Sequence, residues 1–297
     1  MSFATDSSCD RNRIGLRGSP DRFRYRLSIL GDVQPKLSKE AHGRIVSFIK
    51  GKVEESGASG VAINLSGGID SALTLKLCVE ALGASKIHAL ILPEGNDGGT
   101  DADDASGLAS SLGVQVHKYS IGEIVKQFAF LMGISDRRVL GNIKARTRMV
   151  LVYSLANAEH LLVAGTSNKS EFLTGYFTKY GDGASDFCPI GDLYKTQLRE
   201  LAVLVGLPSV FITKTPTAGL WPGQTDEGEM GMTYTELDTI LYSLEAGKSP
   251  DEIPAATGLP AGKVEKVVDM IHSSSHKRKL PSIPKIGIRT VGIDWDV

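Results

Sequence analysis

Apolar positions along this chain alternate between two patterns, short continuous runs and helical spacing. From Ser38 onward, Ala41, Ile45, Phe48, Ile49 and Val53 recur at helical spacing. Short apolar runs at Val61–Leu65, Ile87–Leu92, Val114–Tyr119 and His160–Ala164 read as buried strands. Between them, Ala72, Leu75, Val79 and Leu82 sit at i, i+3, i+7 and i+10 and predict an amphipathic helix that Gly83 stops. Ala105, Leu108, Ala109 and Leu112 predict another over 101–112, and a long one covers about 138–158. Alternation of this kind predicts an α/β protein, a parallel sheet with helices on both faces. After about residue 190 the pattern turns helical, over 193–205, 234–244, 251–257 and 263–272, giving a helical C-terminal part. Ligands of such sheets bind beyond the C-terminal strand ends. Three polar stretches lie there, Ser66–Ser71, Pro93–Asp103 and Gly165–Glu171, and are expected to share one crevice.

Residues 1–36 carry no clear period and are dominated by Arg11, Arg13, Arg17, Arg22, Arg24 and Arg26. They read as a solvated N-terminal extension, followed by one domain over 37–285 and a tail over 286–297. No internal repeat or low-complexity segment interrupts the domain.

Composition narrows the function classes. With 41% apolar residues, 23% charged residues and a net charge of -1, the 297-residue chain reads as a soluble globular protein. Near-neutrality argues against nucleic-acid and membrane-surface partners. No apolar run approaches the length of a membrane span, and no apolar core follows the N-terminal arginines as a secretory leader requires. Cys9, Cys78 and Cys188 make no CxxC and no zinc spacing, which suits reduced thiols in the cytoplasm.

The stretch Asn64-Leu-Ser-Gly-Gly-Ile-Asp-Ser-Ala72 is the strongest chemical signal. Strand, glycine turn and helix start together form a phosphate cradle, because glycines let backbone N–H groups approach an anion at a helix N-terminus. No Lys follows the second glycine, so the loop is not a Walker A motif. Asp70 stands at the helix start instead. A carboxylate beside a polyphosphate implies a cation between them, here Mg²⁺. In Gly165-Thr-Ser-Asn-Lys-Ser-Glu171, Thr166 or Ser167 reads as a helix cap and Glu171 as a first-turn acid. The functional reading makes Glu171 a second magnesium ligand beside Asp70. The glycine-rich, polar stretch from Gly175 to Thr196 reads as a binding surface. Within it Lys179 and Lys195 can neutralise phosphates, Asp186 can accept from ribose hydroxyls or an amide, and Tyr176 or Phe177 can stack on a ring.

The Ser-Gly-Gly-x-Asp-Ser string resembles the pyrophosphate loop of the ATP pyrophosphatases, which cleave ATP between the α- and β-phosphates. Five further runs narrow the resemblance. They are Gly141-Asn-Ile-Lys-Ala-Arg146, Gly165-Thr-Ser-Asn-Lys-Ser-Glu171, Gly175-Tyr-Phe-Thr-Lys-Tyr-Gly-Asp182, Pro189-Ile-Gly-Asp-Leu-Tyr-Lys195 and Ala218-Gly-Leu-Trp-Pro-Gly-Gln-Thr-Asp-Glu227. With the His276–Lys277 pair, they are similar to the ammonia-dependent NAD synthetases over roughly residues 38–285.

The resemblance implies a Rossmann-like fold of the adenine nucleotide alpha-hydrolase-like kind. It also implies the last step of NAD biosynthesis. ATP adenylates the nicotinate carboxylate of deamido-NAD, and ammonia then displaces AMP. By matching positions, Ser66, Gly67, Gly68, Ile69, Asp70, Ser71, Thr166, Lys195 and Thr217 bind ATP. Asp70 and Glu171 hold Mg²⁺, and with Lys195 they form the catalytic set. Arg146, Lys179, Asp186, His276 and Lys277 contact deamido-NAD. The family pattern has Ser where this chain has Thr217, which keeps the hydroxyl and adds a methyl. The resemblance further implies a cytoplasmic homodimer with the substrate site near the subunit interface. The loop begins at Ser66, too early for a glutaminase domain of ordinary size ahead of it, so free ammonia is the expected donor. Two other readings stay open at this point. One is a different amidating or thiolating enzyme with the same loop. The other is a nucleotide-binding module without catalysis, which should lack one of Asp70, Glu171 or Lys195.

Overall fold

Four parallel strands, in the order β3-β2-β1-β4, form the centre of the structure, a computed structural model that describes residues 33–95, 99–221 and 223–291. The strands are β1 (Gly60–Asn64), β2 (Ile87–Ile91), β3 (Gln115–Lys118) and β4 (Leu161–Val163). Each starts and ends within one residue of its sequence-predicted bounds. Pairs such as Val61 with Ile87 and Ala62 with Val163 set the register. The chain steps outward from β1 through α2 (Ile69–Leu82) to β2, and through α3 (Gly99–Ser111) to β3. It then returns through α4 (Gly122–Met132) and α5 (Arg137–Glu159) to place β4 on the other side of β1. The direction of strand succession therefore reverses between β1 and β4, and a crevice opens beyond their C-terminal ends.

Side-chain alternation divides the core. Val61, Ile63, Leu65, Ile87, Ala89 and Ile91 face one side, against α1 (Ala41–Ser56), α2 and α3. Ala62, Leu90, Leu161 and Val163 face the other, against Val125 of α4 and Val152 and Ala156 of α5. β1, β4 and, apart from His88, β2 are thus apolar on both faces, which is why they read as continuous runs, whereas the edge strand β3 is mostly polar. A separate small core gathers Tyr234, Leu237, Ile240, Ile253, Val264 and Val267. It is built by α9 (Asp226–Met230), α10 (Tyr234–Glu245), α11 (Ile253–Thr257) and α12 (Ala261–Ser273). Between β4 and this cluster lie α6 (Lys169–Thr174), α7 (Lys195–Leu204) and α8 (Ser209–Thr213).

Three sequence expectations are corrected. The helix after the phosphate loop is not amphipathic. Leu73, Thr74, Leu77 and Cys78 are as buried as Ala72 and Leu75, because α2 is sandwiched between the sheet and the outer helices. The short helix α6 is capped by Asn168, and neither Thr166 nor Ser167 serves. Helix α4 has no counterpart among the predicted elements, because its exposed Phe130, Leu131 and Met132 blur the helical period.

The described residues from Val33 onward belong to one compact unit. The Gln197 side chain donates to the Lys36 carbonyl at 2.8 Å, which ties this first stretch to α7. Residues 1–32 of the expected extension and 292–297 of the expected tail lie outside the described residues.

Candidate active site

The phosphate loop sits at the turn from β1 to α2. Gly67 has φ +88, and a β-carbon there would lie 2.3 Å from the Asp101 carbonyl oxygen, so only glycine fits. Ser71 Oγ donates to the Gly68 carbonyl at 3.1 Å and accepts from the Ser66 N–H at 3.2 Å, which fixes the turn. No side chain caps the start of α2. Its first backbone N–H groups therefore point, with the positive end of the helix dipole, to where an anion would sit. Lys214 holds the loop from behind, donating to the Gly67 carbonyl at 3.1 Å and to Asp101 and Asp104 at 2.7 Å.

The loop after β4 brings the second set of groups. Asn168 and Glu171 form a reciprocal capping box on α6, with Asn168 Oδ1 accepting from the Glu171 N–H at 3.0 Å and Glu171 Oε2 accepting from the Asn168 N–H at 3.2 Å. The same Asn168 donates its Nδ2 to Asp70 Oδ1 at 2.8 Å. One side chain thus fixes both acids. Lys195, at the start of α7, is 2% exposed and lies 2.5 Å from Asp70 and 3.8 Å from Glu171. Its backbone is held in turn, because Ser170 Oγ accepts from the Lys195 N–H and donates to the buried Asp238. Asp238 also accepts from the Thr196 N–H at 2.8 Å.

Electrostatics follow from this packing. Burial and the Asp70 charge push the Glu171 carboxyl well above the usual carboxylate range, against the opposing pull of Lys195. Burial disfavours charge on Lys195, but Asp70 and Glu171 outweigh it and raise its pKa. Both acids converge on a single Nζ, so the space between them already accommodates a cation. That arrangement fits a bridging divalent ion, although no group of three or more His, Cys, Asp or Glu side chains suited to a metal occurs among the described residues. The remaining oxygen ligands of a hard cation would then come from phosphates and water.

A cleft of about 950 Å³ joins these groups. Ser66, Gly68, Ile69, Asp70 and Ser71 line it, and so do Thr166, Glu171, Lys195, Thr217 and Lys277. Gly67 does not, its carbonyl being turned to Lys214. The expected convergence of three strand ends holds, since Pro93 and Asp101 also line the cleft. Four expected substrate contacts are absent from its wall. Arg146 lies exposed on α5, donating to the Lys179 carbonyl at 3.3 Å, and Lys179 donates to the His276 carbonyl at 2.8 Å. Asp186 accepts from the Val163 N–H at 2.7 Å and from Tyr153 Oη at 3.2 Å, so it braces the end of β4. Lys277 reaches the wall while donating to the Gly175 and Phe177 carbonyls at 2.6 and 2.7 Å.

Sequence reading missed Asn168, Arg148, Lys214, Asp226 and Asp238. The spacing Asn168-x-x-Glu171 is itself a capping-box signal. Arg148 follows from helical period, because Arg138, Asn142, Ala145 and Arg148 share the face of α5 that lines the cleft. Lys214 and Asp238 carry no local signal, since their partners are far away in sequence.

An ordered phosphate loop and a buried acid–lysine cluster at the switch point of a parallel sheet define a nucleotide-dependent α/β enzyme. A profile of the NAD synthase family matches residues 41–281, and the chain belongs to that family. It is 51% identical over 243 residues to the NH₃-dependent NAD⁺ synthetase of Hyperthermus butylicus, covering 81% of this chain and 88% of that one. Among solved structures, an NMN synthetase from Francisella tularensis superposes with a TM-score of 0.73 at 35% identity, over 84% of this chain and 98% of that one. The NH₃-dependent NAD synthetase of Campylobacter jejuni, solved with a nitrate ion, gives 0.72 at 34%, over 83% and 98%.

Proposed function

We propose that this protein makes NAD from deamido-NAD, ATP and ammonia, releasing AMP and pyrophosphate. Convergence of Asp70, Glu171 and Lys195 on the phosphate loop at the β1/β4 switch point carries the reading. The family match and the relatives named for ammonia-dependent NAD synthesis support it.

In this reading the loop Ser66–Ser71 and the start of α2 bind the ATP phosphates through backbone N–H groups. Lys195 and Thr217 add contacts to the triphosphate, and Thr166 borders the nucleotide. Asp70 and Glu171 would hold Mg²⁺, which when bound would offset phosphate charge and polarise the reacting phosphoryl group. A nicotinate carboxylate oxygen attacks the α-phosphorus, and the bond to pyrophosphate breaks. Ammonia nitrogen then attacks the carbonyl carbon, the C–O bond breaks with its electrons going to AMP, and the nitrogen loses one proton to water. Holding two anionic nucleotides in line supplies much of the acceleration, and the lysine with the backbone donors offsets their repulsion. No step needs a covalent bond to the protein.

Arg146, Lys179, Asp186, His276 and Lys277 form the deamido-NAD side of the site in this proposal. We read the protein as a homodimer, with that side near the interface. Exposed Phe128, Phe130, Leu131 and Met132 on α4 and Val139 and Val150 on α5 leave an apolar surface of the kind a partner covers. Arg146 lies on the same face of α5 as Val139 and Val150, so a partner there would reach the dinucleotide. The free thiols Cys78 and Cys188 suit a cytoplasmic setting.

The test is product analysis. Purified protein with ATP, Mg²⁺, deamido-NAD and ammonium chloride should yield NAD and AMP in equal amounts. ADP as product would overturn the mechanism. AMP formed only with the mononucleotide counterpart of deamido-NAD would keep the mechanism and change the substrate.

A further inference from the structure

Every residue from Lys214 to Trp221 lines the cleft, and both ends of this segment are fastened. Lys214 is tied to the Gly67 carbonyl and to Asp101 and Asp104. At the other end, the Leu220 N–H donates to Gln224 Oε1 at 2.8 Å, and the Leu220 carbonyl accepts from Lys144 Nζ at 2.8 Å. A β-carbon on Gly141 would lie 3.1 Å from Leu220 Cδ1, so this end rests directly on α5. The Arg137 guanidinium stands 5.4 Å from the Trp221 ring centroid and adds a cation–π contact. Between the two ends Thr217, Ala218 and Gly219 are exposed. Thr217 Oγ1 accepts from the Gly219 N–H at 3.1 Å, which leaves its hydroxyl hydrogen to donate. The segment is a strap from the phosphate-loop side of the cleft to α5, with Thr217 at its middle.

Lys144 joins the strap to a third element. Its Nζ lies 2.6 Å from the carboxylate of Glu94, in the stretch that follows β2. Glu94 is a fixed point, because its carbonyl accepts from Ser120 Oγ at 2.9 Å and packs against Gly122, where a β-carbon would lie 2.3 Å away. Lys144 itself is 8% exposed. A nearly buried ammonium is unfavourable unless its donors are used. The Glu94 carboxylate and the Leu220 carbonyl use them, and neither belongs to α5. What the two bonds fix is the separation between the stretch after β2 and the strap.

We propose that Lys144 is a positioning residue for the adenine nucleotide, holding Thr217 in place by fastening the strap to Glu94. Lys144 is not part of the cleft wall and acts through Leu220. The inference rests on the reading that Thr217 contacts ATP, and adds the residue that sets where Thr217 stands. Setting such a donor before the nucleotide arrives matters, because a misplacement of about 1 Å can cost about 10²-fold.

Lys144→Met keeps the stem and removes the donors. Affinity for α,β-methylene-ATP with Mg²⁺, which has no cleavable bond between the α- and β-phosphates, is measured by calorimetry beside the KM values for ATP and deamido-NAD. The analogue Kd and the ATP KM should rise about tenfold, the scale of a lost charge-assisted hydrogen bond. The deamido-NAD KM should stay within about twofold, because that substrate's proposed contacts lie elsewhere. Trypsin should cut after Lys214 sooner in the variant, since an unfastened strap opens more often. Glu94→Gln, at a half-exposed site, should weaken the analogue in the same direction and carries the test if Lys144→Met does not fold. The double variant should bind no more weakly than Lys144→Met alone, because both changes break one bridge. An unchanged analogue Kd in a folded variant overturns the inference. So does an equal rise in the deamido-NAD KM, which would make Lys144 a general brace of the cleft. If the unaltered protein binds the analogue but forms no NAD, the amidation reading falls, and the affinity measurements still decide the role of Lys144.

Discussion

Asn168 Nδ2 donates to Asp70 Oδ1 at 2.8 Å, across the point where strand succession reverses. The bond joins the loop after β4 to the loop after β1. Because Asn168 also caps α6 and anchors Glu171, it converts two separate strand ends into one rigid acid pair. Positioning of this kind decides whether a charged cluster works as a unit. Asn168→Ala would free Asp70 and uncap α6 together. Turnover should fall by about 10–10², and the melting temperature should drop by several degrees, since loss of a cap costs roughly 1 kcal/mol. Kinetics with thermal melting checks both. Undiminished turnover with a lowered melting temperature would restrict Asn168 to a structural role.

Glu171→Gln should separate function from stability. Burial and Asp70 raise the Glu171 pKa well above its ordinary 4.5, so the charged form is disfavoured in the folded protein without ligands. The folded state therefore binds more protons than the unfolded state above about pH 4.5, and this group's contribution weakens as pH rises from there toward the folded pKa. Removing the charge should stabilise the ligand-free protein at neutral pH, by about 2–4 °C if the gain is roughly 1 kcal/mol. The same change should lower turnover by about 10²–10³, the scale of one lost transition-state stabiliser. Melting curves at pH 5 and pH 7.5 check the sign, because the variant's advantage should be larger at the higher pH.

What the sequence made legible has a physical boundary. Strands buried on both faces announce themselves, because β1 between its ends and β2 apart from His88 must be apolar on both sides. The phosphate loop is legible because Gly67 is dictated by its own φ and by the Asp101 carbonyl. Asp70, Glu171 and Lys195 were recoverable because each sits in a local motif. Asp238 was not, since its partners Ser170 and Thr196 come from other elements and its own helix looks ordinary. The amphipathic reading of α2 failed for a related reason. Spacing reports one apolar face, and a helix packed on both sides has two.

Asp238 supplies a third prediction. It accepts from Ser170 Oγ at 2.5 Å and from the Thr196 N–H at 2.8 Å, fixing the turn from which Lys195 projects. Asp238→Asn presents a hydrogen to a donor at one of these bonds and should misplace Lys195. Turnover should fall about tenfold while the deamido-NAD KM stays within about twofold, because that substrate's proposed contacts lie elsewhere. A changed deamido-NAD KM with normal turnover would show that Asp238 does not act through Lys195.

Lys277 supplies the last. Its ammonium donates to the Gly175 and Phe177 carbonyls and stands 5.3 Å from the Phe177 ring centroid. Burial lowers its pKa, and Asp182 opposes the shift. The side chain therefore does two things in the proposed scheme. It pins the start of the loop that carries Lys179, and it presents positive charge at the cleft wall. Lys277→Met keeps the packing of the stem and removes both the charge and the donors. Lys277→Arg keeps charge with a different donor geometry. If charge toward the dinucleotide dominates, the methionine variant should raise the deamido-NAD KM by about tenfold, and arginine should restore much of it. If pinning dominates, both variants should lower the melting temperature alike, because a guanidinium cannot reproduce the two short bonds from one nitrogen. Steady-state kinetics and melting curves on the two variants separate these outcomes. An unaltered deamido-NAD KM in Lys277→Met would remove Lys277 from the substrate site.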